Sequence, residues 1–179
     1  PLLRYYNVFN LDQTGGIEAP EEEQNHTTIQ PIERAEIIVN NMPCRPIIQF
    51  KGDRAFYNPK MDLVQLPDQQ AFKSAEELYS TFYHELCHAT GHEKRLGRKG
   101  ITNPTHFGSH DYSQEELVAE FGASMLCGVA GVEQKTIENS AAYIQGWLKA
   151  LKKDQKLAIL AAGQAQRAAD FILNNLAEE

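Results

Sequence analysis

The chain has 179 residues, a net charge of −7, and 42% hydrophobic and 23% charged residues. A chain of this length builds one domain with a substantial core and is too short for two such domains. The composition excludes a disordered protein, and no apolar run is long enough to span a bilayer, so we expect a soluble protein without a membrane partner. The acidity argues against nucleic-acid binding by this domain, because neutralising a phosphate backbone requires clustered Lys and Arg.

Cysteine usage and local charge bear on location and partners. Cys44, Cys87 and Cys127 are odd in number and widely spaced, which favours reduced thiols in the cytoplasm over a disulfide framework. The most basic cluster comprises Lys94, Arg95, Arg98 and Lys99. We interpret this short cluster as a solvated loop, with nucleic-acid contact as the alternative.

The N-terminal part of the chain is predicted to precede the folded domain. Alternation over Leu2–Leu11 indicates an extended segment, and Gly15-Gly16 with Glu21-Glu22-Glu23 indicates a linker. We therefore assign residues 1–30 to an extended segment and linker, and since the chain begins at Pro1 rather than Met, we expect it to be a piece of a longer protein. Residues 31–179 are predicted to form the domain itself.

A helix and a small sheet are predicted at the start of this domain. Pro31 suits the first turn of a helix that ends near Asn41. Alternating residues then predict three short strands of an antiparallel sheet, at 47–50, 55–57 and 62–66. The rest of the chain has a helical pattern. The predicted class is therefore α+β, with the sheet packed on an active-site helix and a helical C-terminal half.

Capping boxes predict where two of the later helices begin. The pair at Ser74–Glu77 begins a helix that ends near Gly91. The pair at Ser113–Glu116 begins another helix, which Gly128 is expected to end. The segment 95–111 between these helices is predicted to be a loop. The last two helices are predicted at about 133–152 and 154–176.

The strongest chemical signal is the motif His84-Glu85-Leu86-Cys87-His88 on the first of these helices. Residues four apart project from the same face of a helix, so His84 and His88 can bind one metal ion, with Zn²⁺ expected. Glu85, on the flank of that face, can take a proton from a metal-activated water and pass it to a leaving amine. Peptide hydrolysis needs this division of roles. The alternative is a pair of surface histidines beside an ordinary glutamate.

A catalytic zinc normally has three protein ligands, so the motif is incomplete by itself. Metzincins supply a third histidine, but Lys94 occupies that position here, which excludes the metzincin pattern. His92 is one alternative, although Gly91 is expected to end the helix before it. A carboxylate from a later helix is the other alternative.

The segment Glu115–Glu120 resembles the helix from which gluzincins supply a glutamate ligand, with an acidic residue four positions later. This resemblance implies that Glu116 is the third ligand and that Glu120 orients a ligand imidazole. Alanines on the same side would let this helix approach the histidine helix closely. Alternatively, Glu116 only completes its capping box. Glu115 is interpreted as a solvated charge at the helix start.

Other residues are candidates for substrate handling. His106, His110 and Tyr112 could stabilise the oxyanion that forms during hydrolysis, and Tyr112 is favoured as a catalytic residue because it lies just before the Glu116 helix. By analogy with zincins, the strand at 62–66 is assigned as the edge along which an extended peptide binds. Cys87 faces away from the metal side and is predicted to be a core residue.

Several stretches along nearly the whole chain carry a family resemblance. Besides the histidine motif, they are Asp62–Pro67, Phe107–Tyr112, Glu115–Glu120, Tyr143–Lys149 and Ala161–Phe171. Together they resemble the C-terminal zincin-like metallopeptidase domain of ArdC-type antirestriction proteins. The resemblance implies a zincin-like, gluzincin-type fold and a role in antirestriction on a plasmid or other mobile element. In that family a domain that binds single-stranded DNA comes first, and Leu3–Asn10 resembles the join.

Two functions are compatible with these residues. The first is a zinc-dependent metallopeptidase in which His84, His88 and Glu116 bind Zn²⁺, Glu85 relays the proton, and the substrate is a peptide or protein. The second is a non-catalytic, metal-stabilised module that binds a partner such as the restriction machinery. Ligand residues alone do not show whether a substrate can enter, so the sequence leaves both open.

Overall fold

The computed structural model describes residues 15–16, 31–103, 110–132, 151–152 and 156–175. The predictions for residues 1–30, beyond Gly15-Gly16, lie outside the described residues, as does most of the helix predicted at about 133–152. Among the described helices, none combines the length and the apolar character needed to cross a membrane.

Helix α1 has the predicted bounds, Pro31–Asn41. Its apolar residues recur at helical spacing, and Ala35, Ile38 and Val39 are buried against the rest of the core. The chain then turns into the sheet.

The sheet has three strands, β1 (Ile47–Phe50), β2 (Phe56–Asn58) and β3 (Leu63–Leu66). Their order is β1-β3-β2, with β3 antiparallel to β2 and parallel to β1. The prediction of a wholly antiparallel sheet is therefore wrong. After β1 the chain passes to the far edge, forms β2, and returns through a tight turn into the centre. Alternation of residues reveals strands but contains no information on their order.

The strand order also corrects the assignment of the substrate edge. The strand at 62–66 is central and almost entirely buried, with partners on both sides. A strand whose two edges are paired has no free N–H and C=O groups left for an added peptide. Within the described part of the chain, β2 and β1 form the edges instead.

Helix α2 (Ala75–Thr90) carries the histidine motif. Ser74 Oγ accepts a hydrogen bond of 3.2 Å from the Glu77 N–H, as the capping-box prediction requires. The Glu77 carboxylate accepts from the backbone N–H of Lys73, one residue before the cap. Gly91 is the C-cap residue, and Phe82 and Leu86 are buried on the core side.

Helices α3 (Lys99–Thr102) and α4 (His110–Ala130) differ from the prediction. The segment 95–111 contains α3 rather than loop alone. Because α4 begins at His110, Ser113 lies inside it and cannot be its N-cap. Gly128 lies inside it as well, since a single glycine costs a helix only about 1 kcal/mol. The helix ends at Gly131, which has a φ of 71° and lets the Val132 N–H donate to the Cys127 carbonyl over 2.9 Å.

Helix α5 (Lys156–Ile172) packs along α4 and contacts α2. Its buried alanines meet Leu117 and Val118 of α4. Helices α2 and α4 approach each other closely at Gly122, where an added Cβ would lie 2.5 Å from Cys87 Sγ. This contact brings the glutamates at the start of α4 next to the histidine face of α2.

Candidate metal centre

The two histidines of the motif point their Nε2 atoms at each other, and these atoms lie 3.1 Å apart. His84 is partly exposed, whereas His88 is only 9% exposed. Two nitrogens bound to one tetrahedral zinc ion would be about 3.3 Å apart. The spacing of the pair therefore suits a shared metal ion.

Glu116 lies opposite the histidine pair. One of its carboxylate oxygens is 3.7 Å from His84 Nε2, and the other is 3.6 Å from His88 Nε2. One ligand atom from each of the three residues falls within 4.8 Å of the others. Two imidazole nitrogens and one carboxylate oxygen fit a divalent ion such as Zn²⁺ and leave a fourth position for substrate or water. The capping alternative for Glu116 is wrong, because α4 begins six residues earlier, at His110.

A second carboxylate faces the outer nitrogen of each histidine. Glu120 Oε1 lies 3.4 Å from His84 Nδ1, where the gluzincin resemblance expects an orienting acid. Glu115 Oε1 lies 3.4 Å from His88 Nδ1. A carboxylate at Nδ1 keeps the proton there and turns the Nε2 lone pair toward the ion. The interpretation of Glu115 as a solvated charge is wrong, since this residue is 6% exposed.

Glu115 is held in turn by Arg98. The guanidinium donates from Nε to Glu115 Oε2 over 2.9 Å and from Nη2 to Oε1 over 2.5 Å. Burial alone would raise the pKa of Glu115, but hydrogen bonds from Arg98 and the contact with His88 hold that pKa below its usual value. Burial alone would lower the pKa of His88, yet the carboxylates around it, led by Glu115, raise that pKa.

The interpretation of the basic cluster as a solvated loop is therefore wrong for two of its members. Arg98 is buried against Glu115, and the Arg95 side chain is 1% exposed and paired with Asp62. Sequence analysis missed both pairings because each partner lies at least 17 residues away along the chain. No local pattern indicates such contacts.

Glu85 is 8% exposed and lies beside His84 in the motif. Helix α2 packs against β2, of which Tyr57 is the middle residue. Burial raises the pKa of Glu85, although His88 and His84 partly offset this effect. A carboxylate whose pKa is raised toward neutrality is better suited to exchange protons at physiological pH.

The remaining predicted site residues are placed as follows. His92 follows the end of α2, and its Nδ1 accepts a hydrogen bond from the Lys94 N–H, so it is not among the three clustered ligands. Cys87 is fully buried, and burial raises the pKa of its thiol to about 12, which confirms it as a core residue. His106 and the side chains of His110 and Tyr112 lie outside the described residues. The backbone of Tyr112 is within α4 rather than in a preceding loop.

Sequence comparisons identify a domain family and several relatives. A family model described as a zincin-like metallopeptidase matches residues 33–165. The chain is 38% identical over 173 residues to the DNA primase TraC of Escherichia coli, covering 97% of this chain and 16% of that protein. It is 34% identical over 169 residues to the uncharacterized protein y4eC of Sinorhizobium fredii, covering 94% of this chain and 53% of that protein. The chain thus spans about half or less of the curated relatives it matches.

Comparison of structures gives a consistent result. The Mn(II)-bound crystal structure of the antirestriction ArdC protein from the R388 plasmid matches with a TM-score of 0.66 and 36% identity, over 82% of this chain and 52% of that one. Its metal-free form matches with a TM-score of 0.61 and 36% identity, over 80% of this chain and 49% of that one. These matches confirm the predicted resemblance to ArdC-type antirestriction proteins.

Proposed function

The chain belongs to the zincin-like metallopeptidase family, and from this premise we propose that it hydrolyses peptide bonds with a zinc ion, as part of an antirestriction protein of a mobile element. The observation that carries the proposal is the convergence of His84, His88 and Glu116 beside the buried carboxylate of Glu85. In the proposed mechanism these three residues hold the ion. A bound divalent ion supplies Lewis acidity, which polarises a carbonyl and makes water more acidic.

The outer carboxylates prepare the ligands in this proposal. Glu120 and Glu115 accept hydrogen bonds from the Nδ1–H groups of His84 and His88, so that both Nε2 lone pairs face the same point. Zinc is proposed on the basis of the donor set, and the Mn(II)-bound structure of the similar ArdC protein supports binding of a divalent ion.

Glu85 is proposed as the general base and then the general acid. Its carboxylate takes a proton from the attacking water and delivers it to the leaving amine, which is expelled as the C–N bond breaks. The raised pKa of Glu85 supports this role, because burial favours the protonated form that the carboxylate must pass through in the relay. Tyr112 remains a prediction for the oxyanion donor, and lies four residues before Glu116 in α4.

The peptide or protein substrate is proposed to bind along β2. This strand is an edge of the sheet and packs against α2, the helix that carries Glu85. An extended peptide added there would place its backbone beside the proposed base, whereas β3 has both of its edges paired.

A second candidate function is a non-catalytic, metal-stabilised module that binds a protein partner. One observation favours it: Glu85 and His88 are 8% and 9% exposed, which leaves a substrate little open access to them. In that case the site retains its ligands and stabilises the fold, while the antirestriction function depends on a docking surface.

The substitution Glu85→Gln separates the two candidates. It should leave the bound metal unchanged and lower kcat for a peptide substrate by about 100-fold or more, because it removes the proton relay but no ligand. Exposed Glu93 offers a matched control, as Glu93→Gln removes one charge eight residues away on the following loop. Undiminished antirestriction by a full-length protein that carries Glu85→Gln would instead assign the function to partner binding.

A further inference from the structure

Arg98 is nearly as buried as the site it adjoins. Its side chain is 8% exposed and lies against the end of α2. Besides its two hydrogen bonds to Glu115, the guanidinium donates to Thr90 Oγ1 over 2.6 Å and to the Cys87 carbonyl over 2.6 Å. A guanidinium has a rigid fork of donors, and these contacts use it to fix one orientation.

Glu115 Oε1 lies beside two nitrogen groups. It accepts the Arg98 hydrogen bond and lies 3.4 Å from His88 Nδ1. The other ring nitrogen of His88 faces His84 and Glu116. A continuous chain of polar contacts thus runs from the guanidinium through one carboxylate to the ring that presents Nε2 to the centre.

Charge explains why this arrangement distinguishes two adjacent glutamates. Glu115 and Glu116 are neighbours, and either carboxylate is chemically able to bind a metal ion. Two nitrogens of Arg98 donate to the Glu115 carboxylate and neutralise its charge. The carboxylate is held beside the His88 ring. The hydrogen bonds of Arg98 described above do not reach Glu116, whose carboxylate faces the Nε2 atoms of His84 and His88.

Two glycines allow the loop that carries Arg98 to come this close. A Cβ at Gly100 would lie 3.0 Å from the Cβ of Glu115 and 3.3 Å from its Oε2. A Cβ at Gly91 would lie 3.1 Å from Arg98 Nη2 and 2.5 Å from a side-chain carbon of Ile101. A side chain at either position would therefore crowd the ion pair of Arg98 and Glu115.

We propose that Arg98 is a positioning residue of the metal centre, which acts through Glu115 to hold the His88 ring with its proton on Nδ1 and its Nε2 free for the ion. The inference rests on the proposed function in one respect, namely that His88 is a metal ligand. Arg98 itself does not contact the ion or the substrate.

Arg95 provides a matched control from the same loop. Its side chain is 1% exposed, and it also supports the end of α2 by donating to the Ala89 carbonyl over 2.7 Å. Its other partners are the Cys44 carbonyl, Tyr57 and Asp62, none of which belongs to the ligand cluster. Loss of Arg95 therefore removes comparable structural support without touching Glu115.

The test compares Arg98→Met, Arg95→Met and the unmodified 179-residue chain by chelator competition with Zn²⁺ and with Mn²⁺. Arg98→Met should bind each ion about 10- to 100-fold more weakly than the unmodified chain, the usual effect of removing an outer partner of a ligand. Arg95→Met should bind both as the unmodified chain does. Equal affinities of the two folded variants would overturn the inference.

A second measurement does not require metal. Long-range proton–nitrogen NMR of the metal-free chain at alkaline pH should show the His88 proton on Nδ1, and a mixture of tautomers in Arg98→Met. If Arg98→Met leaves the tautomer unchanged, the inference is overturned. This outcome is independent of the proposed function, because it can be measured even if the unmodified chain binds no ion.

If Arg98→Met does not fold, Arg98→Lys and Glu115→Gln replace it. Both should weaken metal binding and mix the tautomers, and affinities and tautomers like those of the unmodified chain would overturn the inference.

Discussion

Adjacent residues of α4 face different groups at the metal centre. Glu116 faces the Nε2 atoms of both histidines, Glu115 faces an Nδ1 atom and Arg98, and Glu120 lies one turn later beside His84. The carboxylate closest to both Nε2 atoms is expected to control metal binding most strongly.

At the residue scale, Glu116→Ala should lose more metal than Glu120→Gln. The first substitution removes a proposed ligand, and the second weakens only the orientation of one, which costs about 10- to 100-fold in affinity. Metal bound per chain after dialysis, measured by atomic emission, distinguishes them. Full occupancy in Glu116→Ala would exclude this residue as a ligand.

The histidine motif was predictable from sequence because its geometry is local. Four residues separate His84 from His88, and any α-helix places such a pair on one face. The role of Glu115 was not predictable. Its partner Arg98 lies 17 residues earlier along the chain, just before α3. Nothing in the pattern around either residue indicates that they meet.

At the element scale, the contact between α2 and α4 depends on Gly122. A Cβ there would lie 2.5 Å from Cys87 Sγ, in a region where the backbone of α5 is also close. The fully buried Cys87 has little room to move. Cys87 lies next to His88 in the motif. A side chain at position 122 that displaces Cys87 is therefore expected to displace the metal centre as well.

We expect Gly122→Ala to lower the free energy of unfolding by about 1 to 3 kcal/mol through overpacking, although alanine favours a helix. Gly128→Ala is the control on the same helix, since its Cβ would meet nothing within 4 Å. That substitution should stabilise the protein by up to about 1 kcal/mol. Urea denaturation measures both, and equal effects would show that α2 and α4 are not tightly packed at Gly122.

Helix boundaries show the limits of local signals at this scale. Ser74 and Gly91 bound α2 as predicted, because cap chemistry acts over a few residues. The same reasoning misplaced both ends of α4, where a Ser-x-x-Glu pattern and Gly128 lie inside the helix. At the C-terminal end, burial of Ala130 stabilises the extra turn and outweighs the weak preference of a single glycine.

At the scale of the whole molecule, Arg95 connects three parts of the fold. It donates to the end of α2, to the Cys44 carbonyl before the sheet, and to Asp62 at the start of β3. Burial alone would raise the pKa of Asp62, but hydrogen bonds from Arg95 and Tyr57 outweigh it and lower that pKa. The ionised Asp62 is therefore favoured in the folded state.

This shift predicts a loss of stability in acid. A lowered folded pKa means that the contribution is complete above the unfolded value of about 3.9 and is lost as pH falls through the folded value. Asp62→Asn should flatten the fall in urea midpoint between about pH 5 and pH 3. Exposed Asp53 serves as the control. An unaltered slope in Asp62→Asn would show that the pair does not contribute to acid sensitivity.

The sequence by itself determined the features that depend on neighbours along the chain: the α+β class, the bounds of α1 and α2, and the face that carries His84 and His88 beside Glu85. Only the tertiary structure decided the order of the strands, the burial of Arg98 and the division between Glu115 and Glu116. Each of these depends on which distant segments of the chain meet. The contact of α4 with α2 at Gly122 is one such meeting. A contact between distant residues gains its free energy from burial and complementary charge, and the pattern around one residue does not identify its partner.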